Sequence, residues 1–201
     1  MTSPRPYASL LAKGEDRRQR IVTVAQRLLT RNGWRNTSLA MIAREAGVSP
    51  AGLLHHFTSK NQLLHAVLDA RDADDLQQAD LRGDLIAEIE KVAERIQRSP
   101  ELVGTFAVLL VENLQPEAPL HDRMLDRWNL AVGIVTALIR HNQEIGRYRA
   151  DFDPGIRAVE IVAFINGMEI SWLLDHSIPL AEVFAEYTRS LTRDFAPDPR
   201  R

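Results

Sequence analysis

Apolar residues recur every three to four positions along most of this 201-residue chain, and no stretch alternates apolar and polar at the two-residue period of a strand. The first clear helical run covers 15–32, where Ile21, Val24, Ala25, Leu28 and Leu29 share one face. Acidic residues open it and Arg27 and Arg31 close it, the order that suits the helix dipole. Gly33 is a natural C-terminal stop, and Trp34 is expected to tuck against the bundle. Thr37 or Ser38 then caps a second helix with a hydroxyl. Leu39, Ile42, Ala43 and Ala46 form its apolar face, and Gly47 ends it. Ser49 is the next N-cap, and Pro50 sits at the first helical position, where a missing N–H is harmless. This third helix, 50–57, is only about two turns long. Thr58 or Ser59 caps a fourth, with Leu63, Leu64, Val67 and Leu68 in helical register.

The pattern fades over 69–84, a polar, acidic run ending near Gly83, and a domain boundary is placed there. Beyond it five more amphipathic segments follow. Leu85, Ile86, Ile89, Val92, Ala93 and Ile96 mark the first. Ser99 and Pro100 start the second, which Pro116 and Pro119 break. The third covers 120–145 and ends at Gly146. Asp153 and Pro154 cap the fourth, to about 176, and Pro179 opens the fifth, to about 193. The organisation predicted is a flexible arm at 1–14, a first domain at 15–70, a second at 71–195 and a disordered tail at 196–201. The fold class is all-α: an N-terminal three-helix domain, then a helical bundle, about nine helices in all.

Composition narrows the field. A hydrophobic content of 45% supports real cores. No apolar run reaches the roughly 18–20 residues of a membrane span, and the N-terminus lacks the apolar stretch of a signal peptide, so a cytoplasmic protein without membrane contact is expected. Cysteine is absent, which removes disulfides, thiol nucleophiles and thiolate metal sites. The net charge of −2 hides an asymmetry. Residues 1–70 hold ten basic and four acidic side chains, a surplus of six positive charges. The remainder holds fifteen basic and twenty-three acidic, a surplus of eight negative ones. A polyanion partner for the first third alone follows.

Two helices joined by a Gly turn make a helix-turn-helix. The short third helix buries Leu53 and Phe57 and offers Ala51, Gly52, Leu54, His55 and His56. Small residues at its start permit close approach to another surface, and free N–H groups there and beside Lys60 attract phosphate oxygens. These are the needs of a recognition helix in a major groove. Lys60 opposes the dipole at a helix start, which strengthens a phosphate role for it. His55 and His56 point about 100° apart and do not form a metal site. In the second module, Thr105, Phe106, Asn113, Met124 and Trp128 are candidates for a pocket, polar groups and aromatics converging inside a bundle. No Gly-rich phosphate loop, no His-Glu-x-x-His and no catalytic constellation is found, so neither an enzyme nor a cofactor is expected.

The run TSLAMIAREAGVSPAGLLHHFTSKNQLLHAVL over 37–68 resembles the DNA-binding domain of TetR-type transcriptional regulators. The matching residues are Thr37-Ser38-Leu39, Ile42-Ala43, Ala46-Gly47-Val48-Ser49, Leu53, His56-Phe57, Lys60 and Leu63-Leu64. The Gly146-Arg147 turn, Asp151-Phe152-Asp153-Pro154 and Gly167 with Trp172-Leu173 also look like C-terminal domains of that family. The family often has Gly at Ala51 and Tyr at Leu54, so its base preference does not transfer. For Leu54 two placements stay open: outward against a thymine methyl, or inward against the bundle.

The resemblance implies a homodimeric regulator, most simply a repressor, that binds a pseudo-palindromic double-stranded operator and is released by a small-molecule effector. Its DNA-contacting set is Thr37, Ser38, Ser49, Pro50, Ala51, Gly52, Leu54, His55, His56 and Lys60. Thr37, His56 and Lys60 are expected to hold the backbone, and Ala51, Gly52, Leu54 and His55 to choose the sequence. The last two helices would pair with a second subunit through Val162, Met168, Trp172, Phe184 and Tyr187. The alternative is a helical ligand- or protein-binding module without DNA binding, against which the charge asymmetry argues.

Overall fold

The computed structural model describes residues 6–78, 83–98 and 100–197. Among them lie nine helices and no strand. The chain divides into two compact units, Met1–Gln77 and Gln78–Arg201.

The first unit holds α1 (Pro6–Asn32), α2 (Leu39–Glu45), α3 (Pro50–His56) and α4 (Lys60–Gln78). Ile21, Val22, Ala25 and Leu29 of α1 meet Ile42 and Ala43 of α2, Leu53 of α3, Phe57, and Leu63, Leu64, Val67 and Leu68 of α4 as buried side chains. Two predicted limits move. The arm expected over 1–14 is helical from Pro6 onward. Proline is tolerated in a first turn, Ala8, Leu10, Leu11 and Ala12 favour helix, and the lone Gly14 costs only about 1 kcal/mol. Likewise α4 continues past residue 70 to Gln78. The stretch 71–78 is polar, but it contains no Gly or Pro, so nothing in it stops a helix that already has a buried face.

The turn between α2 and α3 explains Gly47. Val48 N–H donates to the Ala43 carbonyl at 3.0 Å and Gly47 N–H to the Arg44 carbonyl at 3.2 Å, closing a Schellman motif. That motif needs a left-handed residue, and Gly47 has φ +66°. Ser49 then starts α3, its hydroxyl accepting from Gly52 N–H at 3.0 Å.

The second unit holds α5 (Leu85–Arg98), α6 (Pro100–Glu112), α7 (His121–Glu144), α8 (Pro154–Leu174) and α9 (Leu180–Phe195). Helices α7 and α8 pack together, as do α5 and α9. Its core joins Leu85, Ile89, Val92 and Ile96 of α5 to Leu138 and Ile139 of α7, Ile161 and Trp172 of α8, and Phe184, Leu191 and Phe195 of α9. Asp153 caps α8 as predicted, its carboxylate accepting from Gly155 and Ile156 N–H at 2.7 and 3.1 Å. Ser99, the expected start of α6, lies outside the described residues, as does most of the tail at 196–201; residues 196 and 197 follow α9 without regular structure.

Three of the five residues expected at a subunit interface are buried within this unit, two of them, Trp172 and Phe184, in this core. Val162, Trp172 and Phe184 are buried, and Met168 and Tyr187 are partly buried against it. Phe164 stacks on Tyr187 with ring centroids 3.7 Å apart and meets Phe184 at 5.3 Å. The aromatic residues of α8 and α9 close this unit's own interior, because they lie on the face α8 turns toward its neighbours.

Candidate nucleic-acid interface

Helix α3 is short because Ser49 caps its start and Phe57, at its end, takes an extended conformation and buries its ring. Seven residues give one inward anchor, Leu53, 1% exposed. Ser49, Pro50, Ala51, Leu54 and His55 are all exposed, with Gly52 and His56 half-buried. Leu54 is 47% exposed, so it projects outward and does not pack into the bundle. The face starts small for a local reason as well: a Cβ on Gly52 would lie 3.1 Å from the Ser49 hydroxyl that caps the helix.

The predicted hydroxyls separate into two roles. Ser38 is the N-cap of α2, exposed, accepting from Met41 N–H at 3.2 Å. Thr37 is neither cap nor surface. It is 1% exposed, and its hydroxyl donates to the Gly33 carbonyl at 2.9 Å, with the Leu28 carbonyl at 3.3 Å. The backbone hydroxyl contact expected of Thr37 is therefore corrected: its side chain fastens the end of α1 to the start of α2, out of reach of a phosphate.

Lys60 also has an internal partner. Its ammonium donates to the Trp34 carbonyl at 2.8 Å and sits 4.1 Å from the centroid of the Trp34 ring. This resolves its apparent conflict with the dipole of α4, because the charge is drawn toward the carbonyl end of α1. Partial burial holds its pKa below the ordinary lysine value. The start of α4 is capped separately, by the Ser59 hydroxyl accepting from Gln62 N–H at 3.1 Å, while the Gln62 side chain accepts from Thr58 N–H at 2.6 Å.

The far end of α3 is electropositive. The His55 and His56 rings meet edge to face with centroids 5.6 Å apart. The Arg18 guanidinium of α1 lies 5.1 Å from the Phe57 ring centroid. Partial burial lowers the His56 pKa below 6.5, and His55, Arg17 and Arg18 lower it further, against a smaller opposing effect of Glu15. Arg17 and Arg18 were not picked out from the sequence as part of this surface. Their signal was only the positive surplus of the first third.

The residues expected to line an effector pocket differ in burial and in partners. Thr105 and Met124 are buried, and Phe106 and Trp128 half-buried, with the Arg127 guanidinium 4.7 Å from the Phe106 ring centroid. Asn113 is buried, but its amide donates to the Leu109 carbonyl at 2.7 Å and accepts from Leu120 N–H at 3.0 Å. It braces the connection between α6 and α7, and that structural task replaces the ligand role expected of it. An open depression between α5 and α9, lined by Glu90, Ala93, Glu94, Gln97, Ala181, Phe184 and Ala185, contains none of the predicted pocket residues.

Along α8 the outward face carries Ile156, Val159, Ala163, Gly167, Ile170 and Leu174, all exposed, at spacings of three and four. Leu174 is 88% exposed. Of these only Gly167 stands out in the sequence pattern. The signal was present: α8 is apolar on two faces, and only one can serve its own core.

No helix among the described residues is long and apolar enough to cross a membrane. Comparison with known proteins matches residues 21–67 to the bacterial regulatory proteins of the tetR family. Over 149 residues the chain is 27% identical to the helix-turn-helix transcriptional regulator SrpR of Pseudomonas putida, covering 71% of this chain and 68% of that one. Other regulators match over 60 residues, 31% of their own length. In fold the chain is similar to a TetR transcription regulator from Haloarcula marismortui, at a TM-score of 0.77 and 20% identity over 91% of this chain and all of the other. It is also similar to SmeT in a complex with triclosan, at a TM-score of 0.72 and 18% identity over 92% and 93% of the two chains. The capped α2, the Gly47 turn and the outward-facing α3 all lie within the matched stretch, so residues 21–67 form a helix-turn-helix domain of the kind found in the tetR family of bacterial regulatory proteins, and the chain as a whole is similar in fold to regulators of that family.

Proposed function

We propose that this regulator is a dimeric repressor whose α3 enters the major groove of a pseudo-palindromic operator. The observation that carries this reading is the outward face of α3. It is exposed, small at its start, apolar at Leu54 and flanked by His55, His56, Arg17 and Arg18. Ser38, Ser49, Pro50, Ala51, Gly52, Leu54, His55, His56 and Lys60 form the contact set. Lys60 contributes by holding α4 to α1 at Trp34, with its remaining N–H donors available to a phosphate.

Two subunits pair through the exposed stripe of α8, Ile156, Val159, Ala163, Gly167, Ile170 and Leu174. Its support is apolar surface that the second unit's own core leaves uncovered. Half-sites one turn apart place the two recognition helices about 34 Å from each other, or at multiples of that. A small, partly apolar effector bound in the second unit favours the state that fits DNA poorly, with a coupling of about 1–3 kcal/mol. The triclosan complex of SmeT supports an apolar effector class.

Fluorescence anisotropy on fragments of the region upstream of its gene, at several salt concentrations, tests the reading. Affinity should fall steeply with salt, as counterions are released from several phosphates. Salt-independent binding, or a monomer by light scattering at micromolar concentration, would overturn it.

A further inference from the structure

We propose that Leu54 reads the 5-methyl group of a thymine in each operator half-site. This rests on α3 being the recognition helix and goes further by naming the base. Among the described side chains of the first unit, Leu54 is the one large apolar residue classed as exposed. Its neighbour Leu53 is 1% exposed, so the core already has its anchor from this helix. Ala51, three residues earlier and also exposed, adds a methyl to the same side of the helix. The result is an apolar strip at the centre of a face otherwise made of a capping serine, a proline and histidines.

The chemistry of the groove selects its partner. Base-pair edges in the major groove present hydrogen-bond donors and acceptors, and the thymine methyl is the apolar group among them. A leucine has no donor or acceptor. Against an amino group, an N7 or an O6 it removes water and returns nothing, which costs binding. Against a methyl it buries apolar surface on both sides. Leu54 therefore discriminates twice, by attraction to thymine and by desolvation of other bases. His55, beside it, is the neighbour with hydrogen-bonding capacity for an adjacent base.

The test separates this claim from the one it rests on. Full-length protein selects its site from random-sequence duplexes, and each thymine of the selected site is then replaced by deoxyuridine, which lacks only the methyl. Single replacement at the sensitive position of one half-site should weaken binding about four-fold, the value of one buried methyl group. That loss should vanish in Leu54→Ala, which should keep the wild-type melting temperature because the side chain is exposed. The proposal is overturned if no thymine is sensitive, or if the sensitivity persists in Leu54→Ala. Failure of the wild-type protein to select any sequence would overturn the recognition-helix reading as well.

Discussion

Helices α3 and α8 both present outward faces, and they are built on opposite plans. Helix α3 has seven residues, one buried anchor and an exposed face with a single large apolar side chain. Helix α8 has twenty-one residues, a fully engaged inner face and an outer stripe that is apolar along its whole length. A surface meant for a hydrated, charged groove needs small residues, caps already satisfied and positive charge nearby. A surface meant for another protein surface needs continuous apolar area, because burial of that area is what drives association. Each face would be a liability in the other's place: an apolar stripe gains nothing from phosphates, and a capped, small-residue face buries too little to hold two subunits together.

The largest expected effect comes from charging the α8 stripe. Val159→Asp with Ile170→Asp should give a monomer by light scattering. Its DNA affinity should fall by about 10²–10⁴, because the two half-sites are then bound by unlinked subunits. Both positions are exposed in the subunit, so the variant should still unfold cooperatively, with a melting temperature lowered by the lost stabilisation from dimerisation. A variant that remains dimeric would break the contrast between the two helices and direct attention to the exposed Val108 and Val111 of α6.

Next in size is Thr37→Val. It removes the donor to the Gly33 and Leu28 carbonyls in a buried position and should cost about 1–3 kcal/mol. For a unit of this size the melting temperature drops by about 4–8 °C per kcal/mol. DNA affinity measured well below the melt should stay within about two-fold. A larger loss in fully folded protein would return Thr37 to the DNA-contacting set. Gly47→Ala should cost about 1–2 kcal/mol, because an alanine must adopt the left-handed conformation of the turn. Unlike Thr37→Val, it also disturbs how α3 is set against α2, so affinity should fall beyond the stability loss.

Much of this was legible in the amino-acid pattern, and the limits have physical causes. Helix positions in both units follow from apolar spacing, and Ser38, Ser49 and Asp153 announce their caps. What spacing does not reveal is which of two apolar faces a helix keeps for itself. In α8, Trp172 and Val162 read as surplus surface and are core, whereas Ile170 and Leu174 are the surplus. The aromatic residues drew attention by size, yet size is also what fills a core. Polar residues misled in a similar way. Thr37 and Asn113 each looked like a ligand for something outside, and each has a backbone carbonyl as its partner. A free carbonyl at a helix end or in a loop leaves no trace in a sequence, although every folded chain must satisfy such groups.

The smallest effect tests the α3 end of the contrast through His56. In the folded chain its pKa is lowered from 6.5, first by partial burial and then by His55, Arg17 and Arg18. The unfolded chain therefore takes up this proton more readily, and stability is complete above about pH 6.5 and declines as pH falls through that value. A phosphate at the same place has the opposite influence, since a nearby negative charge favours the imidazolium. Operator binding should then be accompanied by proton uptake, and affinity should rise over the interval in which stability falls. Melting curves and anisotropy at pH 7.5 and 5.5, at fixed ionic strength, should show these opposed trends. Both should flatten in His56→Gln, whose side chain does not titrate. Affinity that declines together with stability would mean that the positive end of α3 does not face the DNA backbone. The groove would then have to be entered by the Ser49 end of the helix alone.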